Sequence, residues 1–178
     1  MSVGRFVVAC ALATLLSACG SSPVAPPPGY LLPSSATVGN ATVDVQVRVA
    51  GYLEQGGIVL QLSDTELRSA RQHRWAEPLA KQLQRALHAG LGGVDGGDDA
   101  RLVVQLSRFH GVQNPVGDRA VIYGVWQYST AEGVVKQGNM DGQAPIATDG
   151  YAALVEALDL GVQDIGSRIA SSLREAVP

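Results

Sequence analysis

Residues 43–49 read Val-Asp-Val-Gln-Val-Arg-Val, and this stretch decides what kind of fold the chain can adopt. Valine occupies every second position and a polar residue separates each pair, which is the period of a strand with one buried face. Glycine punctuates the chain at Gly51 and Gly56-Gly57, and the apolar run Ile58-Val59-Leu60-Gln61-Leu62 predicts a second short strand. The domain therefore begins with two strands.

Helical periodicity follows the second strand. Ser63 and Glu66 have capping-box spacing and predict a helical turn from Asp64 to Arg71. A main helix comes next, because apolar residues recur every four positions as Trp75, Leu79, Leu83, Leu87 and Leu91. Pro78 is compatible with that helix only in its first turn.

The second half of the domain contains three strands and one more helix. The strand-like runs are Arg101–Phe109, Arg119–Tyr128 and Val134–Gln143, and turn residues between them favour an antiparallel meander. Asp149 is the expected cap of the final helix. The apolar face of that helix consists of Tyr151, Val155, Leu158, Val162, Ile165 and Ile169.

The element order β-β-α-β-β-β-α predicts an α+β fold for residues 41–178: a mostly antiparallel sheet of about five strands with two main helices on one face. Both sides of the run Arg119–Tyr128 are apolar. Two helices cover only one side of a sheet, so the side that carries Val121, Tyr123 and Val125 needs another cover. Either a sister subunit or partner covers it, or the cover is a loop or the segment Tyr30-Leu31-Leu32, which we expect to dock as a short edge strand.

The first 18 residues have the layout of an export signal: Arg5, an apolar run from Phe6 to Leu16, then Ser17-Ala18. The apolar run is too short to span a bilayer, which takes about 20 helical residues. Leu16-Ser17-Ala18-Cys19 resembles the lipobox of bacterial lipoproteins. This resemblance implies cleavage before Cys19, a diacylglyceryl group on its sulfur and an acyl group on its freed amine. The alternative is ordinary secretory cleavage that leaves a free thiol.

Residues 19–40 are rich in proline and serine and predict an extended tether behind the lipidated cysteine. The chain has two cysteines, and Cys10 lies in the signal, so no disulfide can form within the mature chain. Gly20 follows Cys19, and the absence of aspartate at that position favours sorting to the outer membrane over retention in the inner membrane.

Composition and motifs argue against several functions. The formal net charge is -3 and no basic cluster is present, which argues against nucleic acid as a partner. His73, Arg74 and Glu77 are close in sequence, but at helical spacing His73 and Glu77 form a surface pair rather than a catalytic set. We expect no metal site either. The residues considered were His88, His110, Asp95, Asp98 and Asp99, and their spacing matches neither zinc nor calcium sites.

Several ordered segments carry a resemblance to a known family. They are the alternating valines, Gly51-Tyr52-Leu53, Gly57-Ile58-Val59, Ser63-Asp64-Thr65-Glu66-Leu67 and His73-Arg74-Trp75-Ala76-Glu77-Pro78-Leu79. In this order the chain resembles the ABC-type transport auxiliary lipoproteins, the family of paraquat-inducible protein C (PqiC/YmbA-like). The resemblance implies an outer-membrane lipoprotein of a transport system that contains mammalian cell entry (MCE) domains and moves lipids between membranes.

The expected function is therefore non-catalytic docking and tethering at the periplasmic face of the outer membrane. The resemblance implies three kinds of partner: an MCE-domain protein with its inner-membrane permease, sister subunits in a homo-oligomer, and the membrane through the lipid on Cys19. Trp75, Val121, Tyr123 and Val125 are the predicted contact residues. A stand-alone lipid-binding module and an assembly lipoprotein for a pilus or secretion pore are the alternatives. A periplasmic hydrolase would need a nucleophile with an adjacent base, and the sequence offers none.

Overall fold

A computed structural model describes residues 29–97, 99–114 and 117–175. The export signal, Cys19 and Asp98 lie outside the described residues. The strands are β1 (Gly29–Tyr30), β2 (Asp44–Val49), β3 (Gly57–Gln61), β4 (Leu67–Trp75), β5 (Arg101–Val112), β6 (Arg119–Thr130) and β7 (Gly133–Pro145). The helices are α1 (Leu79–Gly90) and α2 (Tyr151–Arg174), and a 3-10 turn spans Pro33–Ala36.

The seven strands form one mixed sheet, in which six follow one another in the order β1-β4-β3-β5-β6-β7. The remaining strand, β2, pairs with the first half of β5, whereas β3 pairs with the end of β5. The pairs β5–β6 and β6–β7 are antiparallel, which confirms the predicted meander, and β3–β4 is a further antiparallel pair. The pairs β1–β4, β2–β5 and β3–β5 are parallel. The predicted α+β class and its two main helices are confirmed, and the sheet is larger and more mixed than the sequence indicated.

The predicted helical turn from Asp64 to Arg71 is wrong. Residues Leu67–Trp75 form β4, which pairs antiparallel with β3. Trp75 ends this strand instead of opening the helix, and α1 begins only at Leu79. The helical stripe therefore consists of leucines alone, with Leu91 just beyond the last helical residue.

Both helices pack on one side of the sheet and enclose a single apolar core. They approach each other closely where two glycines meet, since a Cβ on Gly90 would lie 3.2 Å from the Cα of Gly166. Against the sheet, a Cβ on Gly161 would lie 2.7 Å from the Cδ1 of Ile122. Because glycine has no side chain, the two helix backbones can touch at Gly90 and Gly166, and Ile122 can touch the backbone of α2 at Gly161.

The final helix begins without the predicted aspartate cap. Its N-cap is Gly150, whose φ of 108° lies in the region that favours glycine, and no side chain caps the helix. Asp149 is therefore not the cap. Across residues 29–97, 99–114 and 117–175, no helix combines the length and apolar composition that crossing a membrane requires.

The docking predicted for Tyr30-Leu31-Leu32 as an edge strand is confirmed in part, since Gly29–Tyr30 pairs with the end of β4. The following Leu32 is 0% exposed and belongs to the core. Residues 29–36 therefore pack on the domain although they lie inside the segment assigned to the tether.

Candidate functional site

One face of the sheet is free of helices, and we call its outward side chains the open face. Ile122 in β6 points toward the helices. Successive side chains of a strand point to opposite faces, so Val121 and Tyr123 point to the open face. Strand register aligns the outward residues in rows: Gln46, Val103, Gln127 and Gln137 in one, and Arg48, Gln105, Val125 and Asn139 in the next. Tyr123 lies beside Arg108 and Asp141 in a third row.

A shallow groove crosses the open face from β2 to β7. A cavity of about 600 Å³ lies between Arg48, Tyr123 and Asp141. A second cavity of about 470 Å³ lies between Val103, Gln127 and Gln137. Both cavities are lined by Gln105, Val125 and Asn139, so they form one continuous depression. The groove offers amide donors and acceptors around a small apolar centre.

Tyr123 is held in place by polar neighbours on three strands. Its ring lies under the guanidinium of Arg108, 5.5 Å from the ring centre. Its hydroxyl accepts a hydrogen bond from Nε2 of Gln143 at 2.6 Å, and Gln143 accepts one from Arg119 at 3.2 Å. These contacts fix the aromatic ring in the groove wall before any partner arrives.

The far end of this face is closed by the turn after β2. The hydroxyl of Tyr52 lies 3.0 Å from the carbonyl oxygen of Ser107 and 3.0 Å from Nδ1 of His110. Nε2 of His110 lies 3.2 Å from Oε1 of Gln61. Burial, together with the nearby charge of Arg108, lowers the pKa of His110 from 6.5 to about 4. Burial also raises the pKa of Tyr52. Both groups are therefore neutral at physiological pH.

The four predicted contact residues lie in different surroundings. Tyr123 is half-buried in the groove wall and Val125 is 48% exposed at the groove centre. Val121 points to the same side but is 5% exposed, next to His110 in the register. Trp75 is 8% exposed and packs against Phe109 in the core, so its ring is not available to a partner.

Residues 29–36, the first described part of the chain, do not cover the open face. Tyr30 pairs with Trp75 at the opposite edge of the sheet, and its hydroxyl lies 3.0 Å from Nδ1 of His73 on the helix side. Among the covers proposed for the second apolar side, the docked segment Tyr30-Leu31-Leu32 is therefore excluded. The groove around Val125 has no cover from any part of the chain that the structure describes.

The open face carries positive charge in an acidic protein. The chain has a formal net charge of -3. Arg48, Arg108 and Arg119 nevertheless have no carboxylate partner among the described residues, whereas Arg101 on the same face pairs with Asp44 at 3.1 Å. Sequence reasoning did not single out these arginines. The valine alternation was a usable signal, because it places Arg48 on the outward side of β2.

The histidine, arginine and glutamate considered for acid-base chemistry do not converge. His73 stacks on Tyr151 with ring centres 4.1 Å apart. Arg74 donates to the carbonyl oxygen of Gln55 at 2.7 Å, and Glu77 pairs with Arg85. The surface pair expected between His73 and Glu77 is wrong, because His73 lies in a strand.

The remaining described residues offer a cleft but no group of metal ligands. Within the described ranges, no three His, Cys, Asp or Glu side chains are grouped so that they could hold a metal ion. A cleft of about 650 Å³ lies at the start of α2, lined by Leu60, Ile146 and Tyr151. It also borders Asn114 and Gly117, on either side of a gap in the described chain. The groove of the open face, unlike this cleft, is lined by described residues without a gap between them.

Comparisons with known proteins support one family. A crystal structure of an uncharacterized protein is 30% identical to this chain, with a TM-score of 0.69, and the match covers 80% of this chain and 95% of that one. Protein XCC0632 from Xanthomonas campestris, of the family DUF330, is 16% identical with a TM-score of 0.65, over 83% of this chain and 93% of that one, which shows a shared fold. No curated protein matches the chain.

The family model for the ABC-type transport auxiliary lipoprotein component matches residues 27–170. This match begins just before β1 and ends within α2, so it includes every strand, all of α1 and most of α2. The chain belongs to the family of ABC-type transport auxiliary lipoprotein components.

Proposed function

We propose that this protein is an outer-membrane lipoprotein that docks an MCE-type intermembrane lipid transport system through the open face of its sheet. In this proposal the lipid on Cys19 holds the protein at the periplasmic face of the membrane. The folded domain acts as a non-catalytic docking component. The partner is an MCE-domain protein that works with an inner-membrane permease, and sister subunits complete the assembly.

The observation that carries this proposal is the uncovered groove in a member of a transport auxiliary family. Val125 is 48% exposed at the centre of the groove, and amide side chains surround it. Partner interfaces combine a small apolar centre with a polar rim of this kind. Arg48 and Arg108 add positive charge, which would steer a partner that carries acidic residues.

Site-specific photo-cross-linking tests the contact. A photo-reactive amino acid at position 125 should form a covalent product with the MCE-domain protein in intact cells. The matched control is position 160, because Leu160 is also an exposed apolar residue, 64% exposed, but lies on α2. A product from position 160 and none from position 125 would contradict docking through the open face.

Lipid retention separates docking from the stand-alone carrier alternative. A carrier must hold its cargo when it is purified, whereas a docking component need not bind lipid tightly. Purified protein incubated with labelled phospholipid and passed over a sizing column should retain little label. Stoichiometric retention would favour the lipid-binding module over the proposed docking role.

A further inference from the structure

Residues Gly29–Ala36, which we call the strap, are the first part of the chain that the structure describes, and polar side chains of both helices fasten them. Oε1 of Gln82, in α1, accepts a hydrogen bond from the amide of Leu32 at 2.8 Å. Nε of Arg85 donates to the carbonyl oxygen of Ser35 at 3.0 Å. Gln82 is 0% exposed, so its amide is committed to this contact.

The strongest fastening point is a buried carboxylate. Asp159, in α2, is 3% exposed and accepts hydrogen bonds from the amide of Ser34 at 3.0 Å and from its hydroxyl at 2.5 Å. Gln163 donates a third at 2.8 Å. No basic side chain in the described ranges forms an ion pair with Asp159. A buried carboxylate needs such donors, and water can replace them only when the strap leaves.

The strap is more weakly joined to the sheet than β2 is. Its strand β1 has two paired positions with β4. By contrast, β2 has six paired positions with β5. Between the two lies an exposed stretch in which Val38 is 94% exposed. Local opening depends on such differences in pairing and burial, so the strap can leave while β2 stays paired.

We propose that the strap detaches from the helices and from β4 before any other element separates when the N-terminus is pulled, and that its detachment lengthens the tether. This rests on the proposed function in one respect, since anchoring at Cys19 sets the direction in which the chain is pulled. In the sequence, nine residues, 20–28, separate Cys19 from the strap. Release of residues 29–39 adds eleven residues, on the order of 40 Å of extended chain at roughly 3.3–3.6 Å each.

Force measurements on single molecules test this release directly. The unlipidated mature chain has Cys19 as its sole native thiol, which provides one handle. A second handle at Gly51→Cys is compatible with the fold, because no atom lies within 4 Å of a Cβ at that turn position. Pulling between these thiols loads the strap first and β2 second. We expect a low-force step on the order of 40 Å before β2 separates.

Two variants and one control assign that step to the strap. Asp159→Asn and Ser34→Ala should each raise the rate of the first step on the order of tenfold at a fixed force, because each weakens a buried polar contact. The control is Asp164→Asn on the same helix, because this side chain is exposed and pairs with Arg168. It should leave the first step unchanged.

A single step in which the strap and β2 separate together would overturn the inference, as would an equal effect of Asp159→Asn and Asp164→Asn. Because the measurement uses unlipidated protein, its failure would leave the anchoring and docking proposal standing. Failure of the cross-linking at position 125 would likewise leave the strap inference standing.

Discussion

Leu31 and Leu32 are adjacent in sequence but differ completely in environment. Leu31 is 51% exposed, whereas Leu32 is 0% exposed and packs in the core. The sequence predicted that this segment docks on the domain. It could not predict which leucine is buried, because a two-residue strand has no periodicity to read.

This pair of leucines gives a matched test of the strap's contribution to stability. Leu32→Ala should lower the free energy of unfolding by about 2–5 kcal/mol, since it leaves a cavity in the core. Leu31→Ala should change it by less than about 0.5 kcal/mol, as is usual for surface positions. Urea unfolding of the two variants measures the difference, and similar effects would contradict the docking of Leu32.

His110 makes the stability of the fold depend on pH. Its folded-state pKa is about 4 because of burial and then Arg108, against an ordinary value of 6.5. The unfolded chain therefore takes up a proton on this histidine in a pH range in which the folded protein does not. The stability contributed by neutral His110 is complete above about pH 6.5 and is lost as the pH falls toward 4.

Replacement of His110 should flatten this pH dependence. We expect His110→Leu to show a smaller loss of unfolding free energy between pH 6.5 and 4 than the unaltered protein. His88→Gln should keep the original slope, because His88 lies outside the network of Tyr52, Gln61 and His110. Denaturant unfolding at several pH values provides the measurement, and an unchanged slope in His110→Leu would refute the assignment.

At the scale of elements, β4 shows where sequence patterns fail. The spacing of Ser63 and Glu66 is that of a capping box, yet Leu67–Trp75 is a strand. Its sequence is polar and lacks strict alternation, and only Ala70 and Trp75 are buried within it. Pairing with β3 decides the conformation here, and tertiary contacts of that kind override local preference.

Elements with strong periodicity were predicted correctly. The valines of β2 and the apolar face of α2 each follow one period over most of the element. The meander of β5, β6 and β7 was also predicted, although each strand is longer than its apolar run. Apolar residues indicate only the buried part of a strand, whereas backbone hydrogen bonds to the neighbouring strand extend into the exposed residues beyond it.

The contact between the two helices depends on glycine. A Cβ on Gly166 would lie 3.3 Å from the Cα of Gly90, so a larger side chain must push the helices apart. Gly166→Leu should lower the free energy of unfolding by about 1–3 kcal/mol, the usual cost of overpacking. Ser167→Leu is the control on the exposed side of α2 and should have little effect. Thermal unfolding compares the two variants, and equal stability would refute the close approach.

At the scale of the whole molecule, the α+β class could be predicted from the sequence, but the make-up of the open face only in part. The apolar second side of β6 indicated that a cover is needed, and two of the four predicted contact residues line the groove. Trp75 was assigned to the helix because of its spacing to Leu79, whereas it ends β4. The arginines of the open face come together through strand pairing, which sequence spacing alone does not specify.

Membrane attachment is the prediction that belongs to the whole molecule. Cys19→Ala should prevent lipid labelling and move the protein from the membrane fraction to the soluble fraction, because acyl chains supply the anchoring energy. Cys10→Ala should leave attachment intact, since Cys10 lies in the signal. Labelled palmitate and fractionation of the two variants provide the measurement. Membrane attachment of Cys19→Ala would show that another element holds the protein.

The pairing of β2 with β5 also determines when the chain can fold during synthesis. Asp44 pairs with Arg101, which is made 57 residues later (101 − 44). β2 must therefore wait for β5 before it finds its partner, whereas β1, β3 and β4 pair within residues 29–75, and such distant pairing slows folding. A polypeptide that leaves the ribosome from its amino end accordingly keeps the valines of β2 without their sheet partner until β5 has been made.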